Sequence, residues 1–142
     1  MSPDHTLTIL LVEDDDVAAE SVVRSFNKAG YRFPVVWAED GGMALRALRD
    51  QDPQRRAPRP RIILLDLNMP KVDGFEFLSQ LRADPDLHED VVFVLTTSDT
   101  DMDRARAYQG NVAGYMVKAA VGPQFAKLTD LLSCYQAAVR MP

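Results

Sequence analysis

Residues able to do chemistry fall at a few points of the chain, each directly after an apolar stretch. Glu13, Asp14, Asp15 and Asp16 follow Leu7 to Val12, and Asp66 follows Ile62 to Leu65. Thr96 and Thr97 follow the stretch Val91 to Leu95, and Lys118 follows Tyr115 to Val117. Clustered carboxylates repel one another, and a hard divalent cation offsets that repulsion; magnesium takes oxygen ligands in an octahedral shell and keeps several waters. A carboxylate beside such a cation can attack a phosphoryl donor and become an aspartyl phosphate. The cation and an ammonium then neutralise the charge that grows on the phosphoryl group. A threonine hydroxyl can donate a hydrogen bond to one of its oxygens. Taken singly, each residue has a plainer explanation: a solvated acidic run, a helix cap, a β-forming threonine, a surface lysine. Their joint fall at the ends of alternating apolar stretches is what suggests a site.

The elements that must position them alternate between strand and helix about five times. Leu7 to Val12, Val35 to Trp37, Ile62 to Leu65, Val91 to Leu95 and Tyr115 to Val117 are short apolar runs of the kind found in buried strands. Asp15 to Lys28 carries Ala19, Val22, Val23 and Phe26 at helical spacing, with Gly30 as its stop. Asp40 can cap a helix with Met43, Ala44, Leu45, Ala47 and Leu48. Asp73 can cap one with Phe75, Leu78 and Leu81 on one face, ended by Asp84-Pro85. Asp101 to Tyr108 is weakly amphipathic, and Gly122-Pro123 opens a last helix. Gln51 to Arg61 holds Pro53, Pro58 and Pro60 and four arginines, and is read as a solvated loop. Buried strands alternating with helices imply a parallel sheet covered on both faces, in which ligands bind at the carboxyl ends of the strands. The expectation is an α/β fold in one domain, 1–142, with its core over about 7–139.

Composition narrows the function classes. The sequence has 142 residues, 46% hydrophobic and 26% charged, enough to bury a core without staples. A formal net charge of −5 opposes non-specific nucleic-acid binding. The single cysteine, Cys134, allows no internal disulfide and no cysteine zinc site, which suits a reducing compartment. Met1 to Thr6 lacks a signal-peptide pattern, and no apolar run approaches the roughly 18 residues of a membrane span. A cytoplasmic, soluble protein is expected, with no membrane or nucleic-acid partner.

Four motifs resemble the signatures of response-regulator receiver domains: Leu10-Leu11-Val12-Glu13-Asp14-Asp15; Leu65-Asp66-Leu67-Asn68-Met69-Pro70 with Asp73-Gly74; Leu95-Thr96-Thr97-Ser98; and Gly114-Tyr115-Met116-Val117-Lys118. The resemblance covers the chain from about Leu7 to the last helix. It implies a flavodoxin-like doubly wound sheet of five parallel strands, order 2-1-3-4-5, with five helices. By resemblance, Asp66 is the phosphoacceptor, Asp14 a direct magnesium ligand, Glu13 an acid acting mostly through water, and Asn68 a backbone carbonyl ligand. Thr96 matches the switch hydroxyl, Lys118 the phosphate-binding lysine, and Tyr115 the aromatic that changes rotamer. Thr96 is preferred to Thr97 because it follows Asp66 by 30 positions and precedes Lys118 by 22, as in typical members. The family's proline after the lysine is Ala119 here, so a trans bond is expected there.

The ending, Val121-Gly122-Pro123-Gln124-Phe125 and Leu131-Leu132-Ser133-Cys134-Tyr135 to Met141-Pro142, is similar to stand-alone regulators that partner phytochrome-like histidine kinases. Phe125, Leu128, Leu132, Tyr135 and Val139 recur at spacings of 3, 4, 3 and 4, a heptad-like stripe that could form a two-fold dimer contact or simply cover the sheet. Two competing readings remain: a phosphatase or phosphotransferase turning over through Asp66, and a flavin-binding fold mate. The first would need a further acid/base, yet Asn68 stands two residues after Asp66. The second would need a phosphate-cradling loop where this chain has four acids.

Overall fold

The computed structural model describes residues 7–30, 33–69, 73–120 and 126–142. Strands Thr8–Val12 (β1), Val35–Ala38 (β2), Arg61–Leu65 (β3), Val91–Thr96 (β4) and Gly114–Val117 (β5) alternate with helices Asp16–Lys28 (α1), Gly41–Leu48 (α2), Gly74–Ala83 (α3), Asp101–Gln109 (α4) and Ala126–Ala138 (α5). The sheet has the order β2-β1-β3-β4-β5 and every pairing is parallel. This is the flavodoxin-like arrangement expected. The chain leaves β1 for one edge and returns on its other side as β3, so the topological switch point lies between the carboxyl ends of β1 and β3.

Successive strand residues face opposite sides of the sheet, and that period divides the core in two. Leu10, Val12, Ile63, Leu65, Val92 and Val94 meet Ala44, Leu45, Leu48, Phe77 and Leu81 of α2 and α3. Ile9, Leu11, Ile62, Leu64, Phe93 and Leu95 meet Ala19, Val22 and Phe26 of α1 and Leu128 and Leu132 of α5. Both faces of β1 and β3 are therefore dry, which is why these strands read as unbroken apolar runs. The helices start where side-chain acceptors stand. Asp15 accepts from the Val17 amide, Asp40 from Met43, Asp73 from Glu76 and Thr100 from Asp103, at 2.8–3.1 Å. Each such cap contributes about 1 kcal/mol. Gly30, at φ +79°, takes the left-handed conformation that lets the chain turn after α1.

Several expectations need correction. The inward face of α3 is broader than expected: Phe77 is fully buried beside Leu78 and Leu81, and Phe75 packs half-buried against the same core, with the Arg106 guanidinium 4.0 Å from its ring centre. Gly74, at the start of the helix, lies buried directly against the backbone of Leu67 and Asp66. Arg61 is not a solvated loop charge. It opens β3, is 6% exposed, and grips both carboxylate oxygens of Asp90 through Nε (2.8 Å) and Nη2 (2.7 Å). Of the other arginines in that run, Arg55 pairs with Asp52, and Arg59 donates to the Asp86 carbonyl. In α5, Leu128 and Leu132 are fully buried in the sheet-facing core, and Tyr135 stands edge-on to Phe93. Leu128 and Leu132 are thus core residues of this chain and offer no dimer surface. Phe125 and the expected helix start at Gly122-Pro123 lie outside the described residues. Lys118–Ala120 forms a short 3-10 turn, and the bond from Lys118 to Ala119 is trans, as expected.

Candidate functional site

Register brings the polar residues together. Val12 pairs with Leu65, Leu65 with Val94, and Thr96 with Val117, so the residues that close β1, β3, β4 and β5 share one edge of the sheet. The ladder continues one step further through the Asp66 amide, which donates to the Val12 carbonyl at 3.0 Å. Asp66 is 7% exposed, Glu13 2% and Thr96 fully buried, whereas Asp14 is exposed.

Every polar side chain in this floor has a partner. The Asp66 Oδ1 accepts from the Thr96 hydroxyl at 3.0 Å and from the Asn68 amide at 3.1 Å. Its Oδ2 faces the Lys118 ammonium at 3.7 Å. Lys118 donates to Glu13 Oε1 at 2.6 Å, and the Asp15 amide donates to Glu13 Oε2 at 3.3 Å. The Asn68 side-chain amide reaches Thr96 Oγ1 at 3.4 Å. Tyr115, half-buried, donates its hydroxyl proton to the Ser98 carbonyl at 3.0 Å, and so ties β5 to the loop after β4. Thr97 is exposed, which separates the two threonines that stand adjacent in the sequence.

Electrostatically the floor is short of positive charge. Burial pushes the Glu13 carboxyl up to about 7; the Lys118 hydrogen bond opposes this and neighbouring Asp66 adds to it. Burial also works against the Lys118 ammonium, but the hydrogen bond and charge of Glu13, and then the charges of Asp66 and Asp15, outweigh it and leave its pKa raised. Glu13, Asp14 and Asp66 can each place one carboxylate oxygen within 4.8 Å of the others. An all-oxygen donor set of three acids, balanced by one ammonium, fits a hard divalent cation.

Two residues at this edge escape sequence reasoning. Gly74 figures there only within a motif, yet a Cβ on it would stand 2.6 Å from Leu67 Cα and 2.7 Å from the Asp66 carbonyl oxygen. Trp37 reads only as a strand residue, and its indole Nε1 donates to the Glu13 carbonyl at 2.7 Å. The adjacent Asp-Gly pair is a usable signal for the first. Nothing in one sequence signals the second, because the bond joins residues 24 apart.

Known proteins resemble this chain in sequence and fold. The chain is 44% identical over 110 residues to the probable methanogenesis regulatory protein FilR2 of Methanothrix harundinacea, covering 78% of this chain and 70% of that one. It is 37% identical over 111 residues to the response regulator Rcp1 of Synechocystis, covering 78% and 76%. The Mn(2+)-bound form of Rcp1 matches with a TM-score of 0.81 and 33% identity over 96% of this chain and 99% of that chain. The phosphorylated cyanobacterial phytochrome response regulator RcpA matches with a TM-score of 0.82 and 32% identity, covering 97% and 99%. With a family match across residues 9–130 and the acid, threonine and lysine cluster at the carboxyl edge of its sheet, the chain belongs to the response regulator receiver domain family.

Proposed function

We propose that this chain works as a response regulator, a phosphorylation-controlled binding switch in which Asp66 accepts a phosphoryl group from a sensor histidine kinase. The observation that carries the reading is the wiring of Asp66. Its Oδ1 is held by Thr96 and Asn68 while its Oδ2 faces Lys118 and the neighbouring acids. Glu13, Asp14, Asp66 and the Asn68 backbone carbonyl would hold magnesium, Glu13 mostly through water. Bound there, the ion neutralises phosphoryl charge. An Asp66 oxygen attacks phosphorus, and the bond to the kinase histidine nitrogen breaks. That nitrogen keeps the electron pair and takes a proton from solvent. Lys118 balances the charge on the incoming group. The Thr96 hydroxyl turns from Asp66 Oδ1 to a phosphoryl oxygen, and Tyr115 exchanges its Ser98 contact for the space left behind. Water later hydrolyses the acyl phosphate in the same pocket. The protein is a phosphoacceptor rather than an enzyme that turns over small esters.

Acetyl phosphate with magnesium should add one phosphoryl mass to the intact protein and none to Asp66→Asn; the same adduct on Asp66→Asn would refute the assignment. Asp14→Ala should abolish magnesium-dependent phosphorylation. The relationship to RcpA supports a phytochrome-like kinase as donor. Among the described residues no helix is long and apolar enough to cross a membrane, and the net charge of −5 favours protein over nucleic-acid partners. We infer one receiver unit working in the cytoplasm, a reading the family match supports. A two-fold contact through α5 would rest on exposed Leu131, Cys134 and Val139, with the outer part of Tyr135. Sedimentation at tens of micromolar checks it: a monomer with and without phosphoryl group removes the dimer.

A further inference from the structure

We infer that Trp37 is a positioning residue for the acidic pocket, fixing the peptide that joins Glu13 to Asp14, and that the arginine-rich loop before β3 acts on the pocket through it. The inference rests on the metal-binding reading above. Both backbone groups of Glu13 are held from β2: its amide donates to the Ala38 carbonyl at 3.1 Å, and its carbonyl accepts from the Trp37 indole at 2.7 Å. The two bonds tie Glu13, the residue just past the end of β1, to β2 on both sides of its backbone. A peptide group is planar, so fixing the Glu13 carbonyl fixes the Asp14 amide in the same plane. Asp14 is exposed and has no buried packing of its own to orient it. The direction in which its carboxylate leaves the chain therefore depends on that plane.

Trp37 is itself anchored from outside the sheet. It sits on β2, an edge strand, opposite Leu11 of β1, and its side chain packs on the α1–α5 face of the core. Its carbonyl accepts from Arg55 Nε at 3.2 Å, and Arg55 Nη1 is held by Asp52 at 3.1 Å. The chain of contacts Asp52, Arg55, Trp37, Glu13 thus runs from the loop between α2 and β3 to the metal-facing acids. It gives that loop a role that its composition did not suggest.

Phenylalanine at position 37 keeps the aromatic bulk and removes the donor. Loss of one such hydrogen bond should weaken magnesium binding by about three- to tenfold. The experiment is calorimetric titration with magnesium alone on wild type, Trp37→Phe, Arg55→Gln and Asp14→Asn, alongside melting of each in EDTA. Trp37 is the sole tryptophan of the sequence, so its emission in the wild type should also change as magnesium is added. The expected result is weaker binding in Trp37→Phe and a smaller loss, about twofold, in Arg55→Gln, with both proteins folded in EDTA and Trp37→Phe melting a few degrees lower because the Glu13 carbonyl loses its donor. Unchanged affinity in Trp37→Phe overturns the inference while leaving the metal site standing. Wild-type affinity in Asp14→Asn overturns the metal reading and the inference with it. If Trp37→Phe does not fold, Arg55→Gln decides, and unchanged affinity there overturns the relay.

Discussion

Glu13 should make the metal-free protein lose stability as pH rises from about 4.5 to 7, a direction opposite to that of an acid whose pKa its partners lower. Its folded carboxyl is pushed up to about 7 from 4.5, chiefly by burial, and only 2% of the residue is exposed. Below 4.5 the group is protonated in both folded and unfolded chains and contributes no difference. Between 4.5 and 7 the unfolded chain ionises first, so the folded state binds more protons and stability falls as protons become scarce. Above 7 the full penalty remains. Each tenfold change in proton affinity is worth about 1.4 kcal/mol, so the loss is of order 3 kcal/mol. Magnesium should reverse the trend, since an ion held by the ionised carboxylates binds only the folded state. The assay is the urea midpoint of wild type and Glu13→Gln from pH 4.5 to 8, in EDTA and in millimolar magnesium. Glutamine keeps the shape and cannot ionise, so the difference between the two proteins isolates Glu13 from the two histidines of the sequence. Wild type should lose ground to Glu13→Gln as pH rises in EDTA and regain it in magnesium. Parallel curves in EDTA would refute the reasoning. The same proton must leave before the metal binds, so apparent magnesium affinity should rise with pH up to about 7 and then level.

Three further perturbations test other parts of the structure. Gly74→Ala would force a Cβ to 2.6–2.7 Å from the backbone of Leu67 and Asp66; a loss of about 1–3 kcal/mol in urea unfolding and slower phosphorylation by acetyl phosphate should follow together. Asp90→Ala leaves Arg61 buried without its carboxylate, and should cost about 3–5 kcal/mol in urea unfolding with little effect on magnesium affinity, because the pair lies at the opposite edge of the sheet. Thr96→Ala should still accept the phosphoryl group, but hydrogen exchange over residues 98–103 should no longer change on phosphorylation; a wild-type change there would show that Thr96 is not the switch.

What the sequence revealed and what it hid follow one physical line. Strands buried on both faces declare themselves as apolar runs, and helix starts declare themselves through Asp40 and Asp73, because both signals are local. Register carried the site: once parallel order is known, residues after β1, β3, β4 and β5 must share an edge, and Glu13, Asp66, Thr96 and Lys118 do. The failures were non-local. Arg61 looked like one more loop arginine because its partner Asp90 stands 29 residues away. Trp37 looked like strand packing because its acceptor belongs to another strand. The stripe on α5 was ambiguous for a different reason. A heptad spacing describes a buried face equally well whether the cover is a sheet or a second helix, and for Leu128 and Leu132 the sheet supplies it.

The two ends of the sheet hold the same kinds of charge in different balance, and the balance separates structure from chemistry. At the amino edge, Asp90 is 3% exposed and meets a fork of two guanidinium nitrogens, with Arg59 a further 3.9 Å away. Arg82 adds to the closure, donating to the carbonyls of His88, Asp90, Gly110 and Asn111. The buried Arg61–Asp90 pair is met on both sides, the carboxylate by two guanidinium nitrogens and the third nitrogen by the Ala57 carbonyl. At the carboxyl edge three carboxylates face one ammonium. With all acids ionised that is a local charge of about −2, in a floor where Glu13 and Asp66 are withdrawn from water and screening is weak. Protonating Glu13 relieves the imbalance at low pH and a divalent cation relieves it at neutral pH. On the proposed reading the same cation would also offset the charge of a phosphoryl group on Asp66. The pocket's charges therefore stay unbalanced until it holds a ligand, whereas the Arg61–Asp90 pair is complete without one. That asymmetry is what lets one edge of the sheet act as a switch while the other keeps the sheet together.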